Sequence, residues 1–136
     1  MEENFLYKSL GFKLLGICFD IHNNYGCGHN ERIYQSLLAE RFEKEYLKFS
    51  PQPKIPVFSK LTGKKIGLYV PDFLLEDKII IEIKATGILL KRQEIQLLEY
   101  LKTTPYEVGY LINFGLPKLY YKRFIYTNDR KTFLSS

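Results

Sequence analysis

The sequence predicts a single α+β domain spanning residues 1–136, a mixed β-sheet with helices on its faces. Three observations carry this. Apolar residues recur at helical spacing up to about Tyr46. β-branched runs broken by turn residues fill positions 55–85, and a further helical stretch separates that block from two more strand-like segments. The expected order is α-α-β-β-β-α-β-β. Helices laid on a mixed sheet are the economical way to bury both layers.

Each element has its own signal. Leu6, Leu10, Leu14, Ile17 and Ile21 mark a first helix from about Phe5 to Asn23. Asn24-Tyr25-Gly26-Cys27-Gly28 ends it, with glycines suited to a C-cap and a turn. Asn30 caps a second helix running to about Tyr46, with Ile33, Leu37 and Phe42 as its core contacts. Ser50-Pro51-Gln52-Pro53 closes the helical half. Strands Ile55–Leu61 and Lys65–Leu75 flank the turn Thr62-Gly63-Lys64, and Glu76-Asp77-Lys78 leads into a third strand, Ile79–Ala85. Gly87 opens a loop before a helix at Leu90–Thr103, whose Ile95, Leu98 and Leu101 can face the core. Val108–Phe114 and Lys118–Tyr126 complete the sheet. No internal repeat or linker divides the chain.

Composition narrows the class. With 136 residues, 46% hydrophobic and 26% charged, the chain can bury a sizeable core and has the profile of a soluble globular domain. A net charge of +5 permits a polyanionic partner without requiring one. Two cysteines, Cys18 and Cys27, are too few for a disulfide scaffold and fit reduced thiols in a cytoplasmic protein. Met1-Glu2-Glu3-Asn4 is acidic and lacks the basic start of a signal peptide, and no segment has the length of a membrane span. His22, Cys18, Cys27 and His29 match no zinc spacing, so ordinary helix and turn residues are expected there.

The chemistry concentrates in Asp72, Glu82 and Lys84. Lys78-Ile79-Ile80-Ile81-Glu82-Ile83-Lys84-Ala85 reads as a buried strand, and charges inside such a strand are costly unless paired. Alternation places Glu82 and Lys84 on one face. A turn centred on Asp77 puts Asp72 directly across the hairpin from Glu82, each five positions from the centre. Like charges so placed repel. A divalent cation would convert the repulsion into coordination, with the Ile83 carbonyl as a further ligand and Lys84 orienting a water or neutralising charge on a phosphate. A solvated strand face is the alternative, and the continuous isoleucine run argues against it.

Pro71-Asp72 followed by Glu82-Ile83-Lys84 resembles the signature of the PD-(D/E)XK nuclease superfamily. Gly28-His29-Asn30-Glu31-Arg32-Ile33-Tyr34 fits the pattern that names the GxxExxY protein family, a branch of that superfamily. Gln96-Leu97-Leu98-Glu99-Tyr100 resembles the Gln-x-x-x-Tyr element that follows the core motif in several superfamily nucleases. The resemblance extends from about Leu14 to Arg123. It implies a restriction-endonuclease-like fold, with Mg²⁺ or Mn²⁺ held by Asp72, Glu82 and Glu31. Lys84 would be the catalytic lysine and Gln96 a support from the later helix. It also implies a nucleic-acid partner, DNA being favoured over RNA, and hydrolysis of phosphodiester bonds. Relatives often carry His three residues before that glutamine; this chain has Gln93, which disfavours proton transfer there.

Read from the residues, the outer motifs have plainer roles as well. Glu31 and Tyr34 share a helix face, but a first-turn glutamate is favoured by the helix dipole and a tyrosine can simply be core. Gln93, Gln96 and Tyr100 form a polar stripe that becomes relevant only if the helix packs across the Glu82–Lys84 strand. The basic and aromatic segment 118–126 can contact nucleic acid through Lys122 and Arg123, with Tyr100 as a further contact, or be an edge strand whose lysines deter aggregation. The edge strand is the favoured reading. A catalytically silent nucleic-acid-binding or protein-interaction module on the same fold is the rival to a nuclease. Cutting both strands of a duplex would favour a homodimer.

Overall fold

In the computed structural model the described residues are 5–88 and 90–134; the acidic start, Met1–Asn4, lies outside them. The first helix, α1, spans Lys8–Tyr25 and ends at Gly26, whose φ of 73° lets its N–H reach the His22 carbonyl. The second, α2, spans Glu31–Lys44, and the Asn30 side chain accepts the Ile33 N–H at 3.1 Å, the expected cap. Its buried stripe is Tyr34, Leu38 and Phe42. Ile33 is 39% exposed instead, because the four-residue spacing that buries the two rings turns Ile33 outward.

The block expected to hold three strands holds four short ones, β2 (Ile55–Phe58), β3 (Lys65–Tyr69), β4 (Phe73–Leu75) and β5 (Ile79–Lys84). A further strand, β1 (Phe49–Pro51), precedes it where Ser50-Pro51 is expected only to close the helical half. After them come α3 (Lys91–Thr103), β6 (Val108–Asn113) and β7 (Tyr120–Ile125). The main sheet runs β1-β4-β5-β6-β7, and β2 with β3 forms a separate hairpin. Among the described residues only β5 and β6 are parallel, which is why a helix, α3, must connect them. The segment expected as one strand, Lys65–Leu75, is split between two sheets. Pro71 has no N–H to give a ladder, and Asp72 bends away to use its side chain. Strand β1 carries no alternation of its own and is held at the sheet edge by pairing Phe49 with Leu75.

The hairpin register is the expected one. Phe73 pairs with Ile81 and Leu75 with Ile79, around Glu76 and Asp77 with φ of 52° and 57°. Positive φ at both positions is what a tight hairpin turn needs. Glu76 is also fixed by donating its N–H to the Lys48 carbonyl and accepting the Lys48 N–H on its carboxylate.

Strand β5 is buried on both sides, which explains its near-continuous isoleucine run. Ile79, Ile81 and Ile83 pack under α1 and α2 with Leu14, Ile17, Leu38 and Phe42. Ile80 faces the other way, towards Leu97 and Leu101 of α3 and towards Ile55 and Tyr69 of the hairpin. On α3 the core face is therefore Leu97 and Leu101, while Ile95 is 66% exposed. Strand β7 is an edge strand, as its basic composition favoured.

Candidate functional site at the end of strand β5

Strand β4 stops at Phe73, so the end of β5 lacks a main-chain neighbour on that side. Asp72 takes the vacant place: its Oδ2 accepts the Ile83 N–H at 2.6 Å. Its Oδ1 accepts from Gln35 Nε2 of α2 at 2.7 Å, and its carbonyl accepts the Gln52 N–H at 2.9 Å. The carboxylate is thus tied to a strand, a helix and a loop. Within a strand a residue's N–H and C=O point to the same edge, so the Ile83 carbonyl faces the Asp72 side too.

Glu82 is held from the opposite sheet face. Tyr69, at the end of β3, donates its hydroxyl to Glu82 Oε2 at 2.6 Å. The Tyr69 ring stacks on Tyr100 of α3 with centroids 3.7 Å apart and planes 12° from parallel. The hairpin and α3 therefore both position one carboxylate oxygen.

Electrostatics confirm that the charged groups sense one another. Burial raises the Glu82 carboxyl to about 7; the Tyr69 hydrogen bond opposes this, the Asp72 charge adds to it and Lys84 lowers it. Burial also raises Asp72, against the Ile83 N–H, Lys84 and Gln35. Glu31, at the start of α2, is raised by burial and by Asp72 and lowered by Lys84. Tyr69 is pushed up by its burial and by the neighbouring Glu82. Among the described residues Lys84 makes no ion pair within 4 Å, so its ammonium is not tied to one carboxylate.

The donors are all oxygens, the set preferred by Mg²⁺ or Mn²⁺, and two half-buried carboxylates with raised proton affinity would gain from a bound cation. The residues fit such an ion. Among the described residues no group of three or more His, Cys, Asp or Glu side chains is arranged to hold a metal. Asp72 and Glu82 act on each other electrostatically, and Glu31 feels the charges of both Asp72 and Lys84. Near α1, His22 Nε2 bonds the Leu116 carbonyl at 2.8 Å, and Cys18 is buried while Cys27 is exposed.

The remaining candidates lie elsewhere. Gln96 is exposed and makes no hydrogen bond among the described residues, and Gln93 is half-buried beside it on α3. Tyr100 reaches the site through Tyr69. Lys122 pairs with Glu94 at 3.3 Å, and Arg123, on the opposite face of β7, donates to the Leu6 carbonyl at 2.9 Å. Tyr34 is a clamp: its hydroxyl donates to the Gly26 carbonyl at 2.5 Å and accepts the His29 N–H at 3.3 Å. Its ring stacks on Phe114 with centroids 4.5 Å apart.

Three residues escaped the sequence reading. Gln35 lies one helical turn after Glu31, a spacing that could have flagged it. Tyr69 lies three residues before Asp72, but its role depends on how the hairpin packs. Asn113 sits buried at the end of β6, where Oδ1 accepts the Thr86 and Gly115 N–H groups and Nδ2 donates to the Thr86 carbonyl. It locks the loop that follows Lys84. Gly115 belongs to the same lock, since a Cβ there would lie 2.2 Å from the Thr86 nitrogen.

A mixed sheet flanked by helices, with paired carboxylates at the end of its central strand, is the architecture of a restriction-endonuclease-like domain. The model of the PD-(D/E)XK nuclease superfamily matches residues 8–124, and the chain belongs to that superfamily. The matched span contains Glu31, Asp72, Glu82, Lys84 and Gln96. No curated protein and no solved structure gives a significant match. Among the described residues, no helix is long and apolar enough to cross a membrane.

Proposed function

We propose that the protein is a Mg²⁺- or Mn²⁺-dependent nuclease of the GxxExxY branch, hydrolysing nucleic-acid phosphodiester bonds. One observation carries the reading: in a chain of nuclease ancestry, Asp72, Glu82 and Lys84 meet at the end of β5, and each carboxylate is held by a dedicated partner. Asp72, Glu82 and the Ile83 carbonyl would hold the ion, with Glu31 approaching it from α2. When bound, it would supply Lewis-acid stabilisation of the phosphate and a more acidic water. Lys84 stabilises negative charge developing on the phosphate. Gln96 would support the site from α3, and Tyr100 backs it through Tyr69. DNA is favoured over RNA as the substrate, and a homodimer suits cleavage of both strands. The two unpaired cysteines fit a cytoplasmic setting.

The test is cleavage of DNA and RNA by purified protein with Mg²⁺ or Mn²⁺. Asp72→Ala and Lys84→Ala should each abolish it. Absence of divalent-metal binding by calorimetry would overturn the mechanism. A second reading, a silent nucleic-acid-binding module, is favoured by one feature: both Asp72 oxygens already accept hydrogen bonds. It requires salt-sensitive binding without cleavage, unchanged in Lys84→Ala.

A further inference from the structure

Lys122 and Arg123 each have a partner within the fold, Glu94 and the Leu6 carbonyl. Other cations gather behind α3, around a cavity of about 250 Å³ lined by Lys60, Lys102, Tyr126, Arg130 and Lys131. Lys60 comes from the β2–β3 loop, Lys102 from the last turn of α3, and Arg130 and Lys131 from the segment after β7. Three segments that are remote in sequence thus bring four cations to one opening.

Their partners leave positive charge over. Lys60 and Lys102 share one carboxylate, Glu99, at 3.0 and 3.3 Å. Both pairs are half-exposed, and exposed pairs of this kind contribute little and exchange readily. Arg130 lies 4.0 Å from the centroid of the Tyr126 ring and makes no ion pair among the described residues. Lys131 is 4% exposed and donates to the Thr104 and Tyr106 carbonyls at 2.9 and 2.7 Å. Burial draws its ammonium down to about 8, with Glu107 partly restoring it, so an added anion would favour its charged form. A guanidinium over an aromatic ring beside ammonium groups is suited to a phosphate oxygen, and aromatic side chains are what single-stranded nucleic acid recognition uses.

We propose that this cavity anchors a backbone phosphate of the nucleic-acid strand away from the bond that is cut. The choice of ligand rests on the nuclease reading above. Tyr100, which backs Tyr69 and so Glu82, shares one turn of α3 with Glu99 and Lys102. The cavity and the carboxylate pair are therefore linked through one turn of α3. Anchoring there would set affinity and leave the chemical step to Asp72, Glu82 and Lys84.

The test uses the whole chain carrying Lys60→Ala and Arg130→Ala, both exposed positions, with Lys13→Ala and Lys44→Ala as a control of equal charge change. A labelled single-stranded oligonucleotide is titrated in EDTA by fluorescence anisotropy at several salt concentrations, and inorganic phosphate by calorimetry. The expected result is at least a tenfold loss of oligonucleotide affinity in the cavity variant. Its salt slope should fall by about 1.4, at about 0.7 for each of two lost contacts. The control should stay within twofold. Equal oligonucleotide affinity in the cavity variant and wild type overturns the inference. So does phosphate binding lost from the variant while oligonucleotide binding persists, since the cavity would then take a small phosphate ligand. If wild-type protein never cleaves but loses oligonucleotide affinity in the cavity variant alone, the nuclease reading fails and the anchor stands.

Discussion

Glu82→Gln should make the metal-free protein more stable at pH 8, because the carboxylate it removes is held ionised at a cost. Burial raises Glu82 from 4.5 to about 7, so the folded protein binds this proton more tightly than the unfolded chain. At 1.36 kcal/mol per tenfold change, the penalty approaches about 3 kcal/mol, or about 2 once partial solvent screening is allowed for. The penalty is absent below 4.5, grows as pH rises, and is complete above about 7. Glutamine keeps an oxygen for the Tyr69 hydroxyl and carries no charge to repel Asp72. Urea denaturation in EDTA should therefore show the variant about 1–3 kcal/mol more stable at pH 8 and equal to wild type near pH 4.5. Added Mg²⁺ should stabilise wild type by about 1.4 kcal/mol at ten times its Kd and leave the variant unmoved. A variant less stable than wild type at pH 8, or a difference independent of pH, would refute the reasoning.

Three further outcomes follow from the same geometry. Tyr69→Phe removes the hydroxyl that lowers the Glu82 carboxyl, so the pH at which Mg²⁺ binding is half-maximal should move upward, read by calorimetry across pH 6–9. Gln35→Leu strips one donor from Asp72 and should weaken metal affinity roughly tenfold with little loss of folding stability, measured by calorimetry and thermal melts. Asn113→Ala leaves two N–H groups and a carbonyl around Thr86 and Gly115 without their partner. It should cost about 2–4 kcal/mol in denaturant unfolding.

What the sequence revealed were features set by local pattern. The isoleucine run marked a strand buried on both faces, Asn30 marked a cap, and the Glu76-Asp77 turn fixed the register that brings Asp72 to Glu82. What it hid depends on contacts between distant segments. The split of Lys65–Leu75 between two sheets follows from Pro71 and from Asp72 serving Ile83, which no alternation encodes. Ile95, expected to face the core, is exposed, and Leu97 is buried in its stead, a choice made by how α3 packs on the sheet. Tyr69 is legible only once the hairpin lies against α3.

The Tyr34 clamp changes what the Gly-x-x-Glu-x-x-Tyr motif can testify to. Tyr34 closes the loop between α1 and α2 and fills the space against Phe114, so any descendant that keeps the fold has reason to keep it. Gly28 meets nothing within 4 Å of where a Cβ would stand, so packing places no demand on it. Glu31 alone of the three is tied to Asp72 and Lys84 by charge. A descendant that had given up cutting could therefore still display most of the motif, and Glu31 is the letter to watch.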